Sequence, residues 1–218
     1  NIFIGSIIDH IENAGVHSGD ATMKIPATGI PEDVKEKLRE STRKIAKALK
    51  IKGPFNIQYL VKDGEIYVIE CNLRSSRSMP LVSKTIDKNL MDMAADAIVE
   101  KQIENGEGVA EKFCVKTPQF SFMRLEGSDP VTGVEMVSTG EVACQGDTFE
   151  ETFLNSMIAA GFKIPKKHDP ILISTGGNKE LIIPFSKKLA KLNCKIYATE
   201  HTGEALRNNG ISCDILHK

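Results

Sequence analysis

Apolar positions recur with two different periods along this 218-residue chain, and the switches between them lay out its elements. Over residues 31–50, Val34, Leu38, Ile45 and Leu49 share one face among Lys, Arg and Glu, which predicts an amphipathic helix with Pro31 at its first position and a stop before Gly53-Pro54. Residues 56–61 and 65–71 are β-rich runs around Lys62-Asp63-Gly64 and predict a hairpin. Helical spacing returns over 87–103 through Leu90, Met93, Ala94, Ala97 and Ile98, until Asn105-Gly106 breaks it. A stretch punctuated by Gly and Pro, 117–146, holds short strand patterns at 120–123 and 141–144, followed by a helix near 148–160. After a boundary at 163–169, strand patterns at 171–174, 195–198 and 213–216 alternate with helical ones at 178–192 and 202–209. That βαβαβ order predicts a parallel sheet. The fold class is therefore α/β, with a largely antiparallel unit over 1–165 and a parallel βαβαβ unit over 166–218.

Composition narrows the function. With 41% hydrophobic and 26% charged residues the chain is globular in character, not disordered. Its 28 basic and 29 acidic residues include no basic stripe, so nucleic acid is excluded as an expected partner. No apolar run spans a bilayer and Asn1-Ile2-Phe3 offers no basic leader, so no membrane partner is expected and the location expected is cytoplasmic. Cysteines 71, 114, 144, 194 and 213 are scattered without a Cys-x-x-Cys pair, which argues against a disulfide framework or structural zinc. The absence of an initiator Met and the stop just after a strand pattern raise the expectation that the chain is a piece of a longer one.

The hairpin carries the sharpest chemical signal, because Glu70 and Asn72 must project from one side of their strand. Whether Gln58 joins them depends on the turn. A two-residue Asp63-Gly64 turn pairs Gln58 with Ile69 and sends it to the far face; a three-residue loop with Gly64 left-handed pairs it with Val68 and unites all three. The second register also collects Ile57, Tyr59, Val61, Tyr67, Ile69 and Cys71 on one apolar face, and apolar sorting selects it. One carboxylate and two amide oxygens are hard ligands suited to Mg²⁺. Arg74 and Arg77 follow, and guanidinium groups hold phosphoryl or carboxylate oxygens bidentately. The same pattern also fits an exposed hairpin face with solvated polar residues. Gly15-Val16-His17-Ser18-Gly19-Asp20 is a second, glycine-bounded polar turn where backbone can approach a ligand, although a His between glycines is more often a plain turn residue.

Taken together, 12–20 (Glu12-Asn13-Ala14-Gly15-Val16-His17-Ser18-Gly19-Asp20), 53–58 (Gly53-Pro54-Phe55-Asn56-Ile57-Gln58), 69–78 (Ile69-Glu70-Cys71-Asn72-Leu73-Arg74-Ser75-Ser76-Arg77-Ser78) and 138–142 (Ser138-Thr139-Gly140-Glu141-Val142) closely resemble the large, synthetase component of carbamoyl-phosphate synthetase. They match the end of its second ATP-grasp unit, in order and spacing, and the resemblance extends over essentially the whole chain. Cys71, Leu73 and the linker 162–165 look more like the archaeal or eukaryotic branch.

The resemblance implies an ATP-dependent ligase that phosphorylates carbamate to carbamoyl phosphate, feeding pyrimidine and arginine biosynthesis. It implies that Gln58, Glu70 and Asn72 hold Mg²⁺ or Mn²⁺ at the ATP phosphates, with K⁺ as a further ion. Arg74 and Arg77 contact the transferring group, and Gly15, Val16, His17 and Ser18 line the nucleotide. Partners implied are ATP, carbamate, the remainder of the synthetase chain and a glutamine amidotransferase subunit or domain. Glu12 and Asp20 fall where some members bind ornithine. The family's amino-terminal subdomain and glycine-rich cover lie outside this sequence, so an isolated chain is expected to be inactive. From 166 onward the chain resembles the methylglyoxal-synthase-like regulatory domain, and Ser174, Lys179, Thr199 and Thr202, at the carboxyl ends of two parallel strands, are the expected allosteric anion site. Helix capping by Thr199 and Thr202 is the plainer role for those hydroxyls. Two other readings stand beside this one: another ATP-grasp ligase, such as a biotin-carboxylase-like enzyme, and a non-catalytic regulatory or interaction fragment.

Overall fold

In the computed structural model, which describes residues 1–123, 125, 127, 130–166 and 168–217, two units follow one another, Asn1–Phe162 and Lys163–Lys218. In chain order the first holds β1 (Phe3–Ile4), β2 (Asp9–His10), β3 (Met23–Ile25), α1 (Glu32–Ala48), β4 (Asn56–Lys62), β5 (Glu65–Asn72), α2 (Met79–Thr85), α3 (Leu90–Ile98), β6 (Gly106–Glu107), β7 (Phe113–Phe120), β8 (Ser138–Gly146) and α4 (Phe149–Ala159). β2-β3-β7-β8 form an antiparallel sheet in that order, β4 and β5 a separate hairpin, and β1 pairs parallel with β6.

α1 buries Val34, Leu38 and Ala46, as its apolar stripe requires. Pro31 stands just outside it, at the N-cap, because its ψ of 149° is extended. Leu49 is 56% exposed, past the helix end. Arg39 ties α1 to β6 through Glu107 at 2.7 Å while also holding Glu32 at 2.8 Å. The helix expected over 87–103 is shorter, Leu90–Ile98: Asp87 and Glu100 have φ of 49° and 60°, and Asn89 accepts from the N–H groups of Met91 and Asp92 to start it. α2 was not foreseen in the pattern.

The strand expected at 120–123 lies earlier. β7 runs Phe113–Phe120 and a 3-10 turn takes Ser121–Met123, while the pattern at 141–144 is the middle of β8. Residues 114–118 are all buried, so this central strand shows no two-residue alternation to read. α4, capped by the Thr148 hydroxyl on the Glu151 N–H, closes over it, and Thr117 meets Ser156 hydroxyl to hydroxyl at 2.7 Å. Ile25, Val82, Leu90 and Cys114 form an apolar core cluster of this unit.

The second unit has β9 (Pro170–Ile173), α5 (Ile183–Lys191) after a 3-10 turn at Lys179–Ile182, β10 (Lys195–Thr199), α6 (Glu200–Asn208) and β11 (Asp214–Leu216). All three strands are parallel in the order β11-β10-β9, which is the expected βαβαβ sheet. Ile183, Ile196, Ala198, Leu206, Ile211 and Cys213 are its core. Among the described residues no helix is long and apolar enough to cross a membrane.

Candidate functional site

β4 and β5 meet through a two-residue turn, Asp63-Gly64, with φ of 53° and 77° and Lys62 opposite Glu65. Two left-handed central residues give the mirror-image turn whose twist suits a hairpin. This corrects the expected three-residue loop, though Gly64 is left-handed as foreseen. On such a turn Gln58 would fall opposite Ile69. Instead the register shifts between Gln58 and Tyr59: Tyr59 pairs with Val68, Gln58 with Glu70 and Asn56 with Asn72, leaving Ile69 as the extra residue of a β-bulge. Paired residues share a face, so Asn56, Gln58, Glu70 and Asn72 stand together. The apolar face is also revised. Ile57, Tyr59, Val61, Ile66, Val68 and Cys71 share it, and Tyr67 moves to the other side opposite Leu60. The Tyr59 hydroxyl meets that of Thr42 at 2.9 Å, which puts this side against α1.

Asn72 donates its amide to Glu70 Oε1 at 2.8 Å. Asn56 Oδ1 is enclosed and has no hydrogen-bond donor among the described residues, an orphaned acceptor in a cluster of oxygens. Arg74 leaves the strand end exposed, bonded to the Ser75 carbonyl at 3.0 Å, and Arg77 leans back onto Glu141 at 3.2 Å. Asn56, Gln58, Glu70, Asn72 and the two arginines line one cleft of about 1800 Å³, together with Val16, His17 and Ser18. Gly15 is not part of that lining and sets the turn with φ of 109°.

The glycine-bounded turn is fixed from inside. His17 Nδ1 accepts from the Gly19 N–H at 3.0 Å, so the ring orders its own loop. Asp20, 2% exposed, accepts from the N–H groups of Val137 and Ser138 at 2.9 and 2.8 Å. Burial works to raise its pKa, but hydrogen bonds from Ser138 and the Val137 backbone prevail and hold it below the ordinary carboxylate value. Glu12 is likewise engaged, on the Thr22 N–H at 2.6 Å and hydroxyl at 2.8 Å.

Two groups in the cleft were passed over in the sequence. Lys116 is 2% exposed in the middle of β7, where a lone cation inside a buried apolar run was the available signal. Burial pushes its ammonium below the usual lysine value while Glu141 works to raise it. His10, on β2, is lowered by burial and then by Lys116, while Glu12 and Asp9 work to raise it.

In the second unit the carboxyl ends of β9 and β10 come together. Thr199 stands at the N-cap of α6 without a capping bond. Its hydroxyl lies 3.0 Å from Ser174 Oγ and 3.4 Å from Thr202 Oγ1, and Thr202, 1% exposed, accepts from the Thr175 N–H at 3.2 Å. Lys179 opens the following 3-10 turn. The plain capping role is thus not the one Thr199 takes.

Comparison with known proteins finds relatives for most of the chain. Residues 3–105 match the family model "Carbamoyl-phosphate synthase L chain, ATP binding domain", and 181–218 match "MGS-like domain". The chain is 47% identical over 215 residues to "Multifunctional protein ura1" of Schizosaccharomyces pombe, covering 96% of this chain and 10% of that protein. To the human mitochondrial "Carbamoyl-phosphate synthase [ammonia]" it is 42% identical over 221 residues, covering 94% of this chain and 14% of that one. It therefore spans 10–14% of the length of these relatives. Among solved structures, an ADP complex of N5-carboxyaminoimidazole ribonucleotide synthetase superposes with a TM-score of 0.52 at 17% identity, over 71% of this chain and 43% of that one. The N5-carboxyaminoimidazole ribonucleotide synthetase of Thermus thermophilus gives 0.52 at 12% identity, over 74% of this chain and 47% of that one. These two likenesses concern the fold, an ATP-grasp-like α/β arrangement.

Proposed function

We propose, from the premise that this chain belongs to the carbamoyl-phosphate synthase family, that residues 1–165 supply one wall of an ATP-dependent carbamate-phosphorylating site and residues 166–218 the start of its effector-binding domain. The observation that carries the reading is the bulge that sets Gln58 opposite Glu70, with Asn72 beside them and the orphaned Asn56 oxygen on the same face. One ionisable carboxylate among amide oxygens fits a hard divalent cation, Mg²⁺ or Mn²⁺, that shares its shell with phosphate. Gln58, Glu70 and Asn72 would hold it, and when bound it would neutralise charge on the phosphate oxygens. In the reaction a carbamate oxygen bonds to the γ-phosphorus of ATP as the bond to the β,γ-bridging oxygen breaks, releasing ADP. Phosphoryl transfer asks for positioning and charge balance more than for a nucleophile on the protein. Arg74 and Arg77, at the end of β5, are placed to meet the transferring group, and the backbone of Gly15, Val16, His17 and Ser18 to border the nucleotide.

Further parts of the reading are a K⁺ ion, the remaining synthetase chain, a glutamine amidotransferase partner and a cytoplasmic location. Ser174, Lys179, Thr199 and Thr202 form the proposed allosteric site. The test is Glu70→Ala in an intact synthase: ATP-dependent carbamoyl phosphate formation should fall by at least about a hundredfold with the circular dichroism unchanged. Activity within about twofold of the parent would set the assignment aside.

A further inference from the structure

Arg77 is held from behind by residues far from it in sequence. Its Nη2 donates to Glu141 Oε2 at 3.2 Å and to the Gly19 carbonyl at 3.4 Å. Lys116 Nζ donates to the same Gly19 carbonyl at 3.1 Å and lies 3.8 Å from the same Glu141 oxygen. Ser138 Oγ adds a third bond to Gly19, at 3.2 Å. Side-chain exposure rises from Lys116 at 2% through Glu141 at 28% to Arg77 at 44%, so the network runs from the interior to the cleft wall.

The Lys116 ammonium explains why a carboxylate is needed here, since a buried cation without a counter-charge is strongly destabilising. It does not explain why that carboxylate also reaches Arg77. A long, partly exposed guanidinium has many rotamers to lose when it meets a ligand. Anchoring one nitrogen fixes the plane of the fork and leaves its other N–H groups free to face a ligand. We propose that Glu141, backed by Lys116, is a positioning residue that sets Arg77 before substrate arrives and links that setting to the Gly15–Asp20 turn through the Gly19 carbonyl. The inference rests on the reading of Arg77 as a group that meets the transferring phosphoryl.

The test uses an intact synthase and the reverse of the proposed step, ATP formation from ADP and carbamoyl phosphate. Glu141→Gln should lower kcat by about 10- to 100-fold while the KM for ADP moves by less than about threefold. Placed on Arg77→Ala, the same change should cost less than about twofold more, because the residue it positions is gone. Glu141→Asp, which keeps the charge but shortens the reach, should also lower kcat, and it carries the test if the Gln variant does not fold. Parent kcat in both Glu141 variants, or an equal loss with and without Arg77, overturns the proposal. Parent turnover in Arg77→Ala would instead remove the reading of Arg77, and this inference with it.

Discussion

Gln58 faces Glu70 directly across the hairpin, an amide opposite a carboxylate with Cβ atoms about 5 Å apart in such pairs. That spacing lets both reach one cation. Gln58→Leu keeps the volume and removes the oxygen, so Mn²⁺ binding, followed by the electron paramagnetic resonance signal of the free ion, should weaken by about tenfold or more. Parent affinity would take Gln58 out of the ligand set.

Asp20 makes the glycine-bounded turn sensitive to acid. A carboxylate whose folded pKa lies below its ordinary 3.8 contributes stability that is full above 3.8 and is lost as pH falls through the folded value. Asp20→Asn should therefore cost about 1–3 kcal/mol in urea unfolding at pH 7. The gap between variant and parent should narrow as pH drops below 3.8. A gap that stays constant from pH 7 into that acid range would mean the carboxylate's charge is not what holds the turn.

Gly203 sits inside α6, where alanine would ordinarily stabilise a helix by about 1 kcal/mol. Here a Cβ would lie 2.8 Å from Ile215 Cγ1 and 3.5 Å from Ala198 Cβ. Overpacking of that kind costs about 1–3 kcal/mol, so Gly203→Ala should lower the melting temperature of the chain. A raised melting temperature would show that Ile215 swings away freely.

The threonine cluster between β9 and β10 should answer to anions. In an intact synthase, calorimetry with uridine monophosphate, inorganic phosphate and N-acetylglutamate should find one that binds, and Thr199→Ala and Lys179→Ala should each weaken it by about tenfold, the loss of a hydrogen bond to a charged group. Absence of binding by all three, or variants that bind as the parent does, would remove the pocket.

The sequence revealed elements whose pattern is local and hid those whose logic is distant. α1 and the βαβαβ order were readable because apolar spacing and Gly or Asn breaks lie within each segment. β7 was hidden by burial on both faces, and α2 by its length of 7 residues with Pro80 in its first turn. The shared face of Gln58, Glu70 and Asn72 was foreseen, but through a wider turn than the chain adopts; a bulge at Ile69 reaches the same end, and nothing local in the residues announces a bulge. Lys116, Glu141 and Arg77 meet only through tertiary contact, so no single motif window contains all three.

The surplus residue in β5 also changes what the hairpin can tolerate. Removing one residue from a strand ordinarily reverses the side on which everything beyond it points. Ile69 has no cross-strand partner, so its deletion would leave Val68 opposite Tyr59 and Glu70 opposite Gln58, merely straightening the strand. Ile69 deletion should therefore spare metal binding, because a regular ladder from Glu65 to Asn72 then sets Glu70 opposite Gln58. The length of β5 between its tip and Glu70 is thus free to shorten by one residue without turning Glu70 and Asn72 away from the cleft.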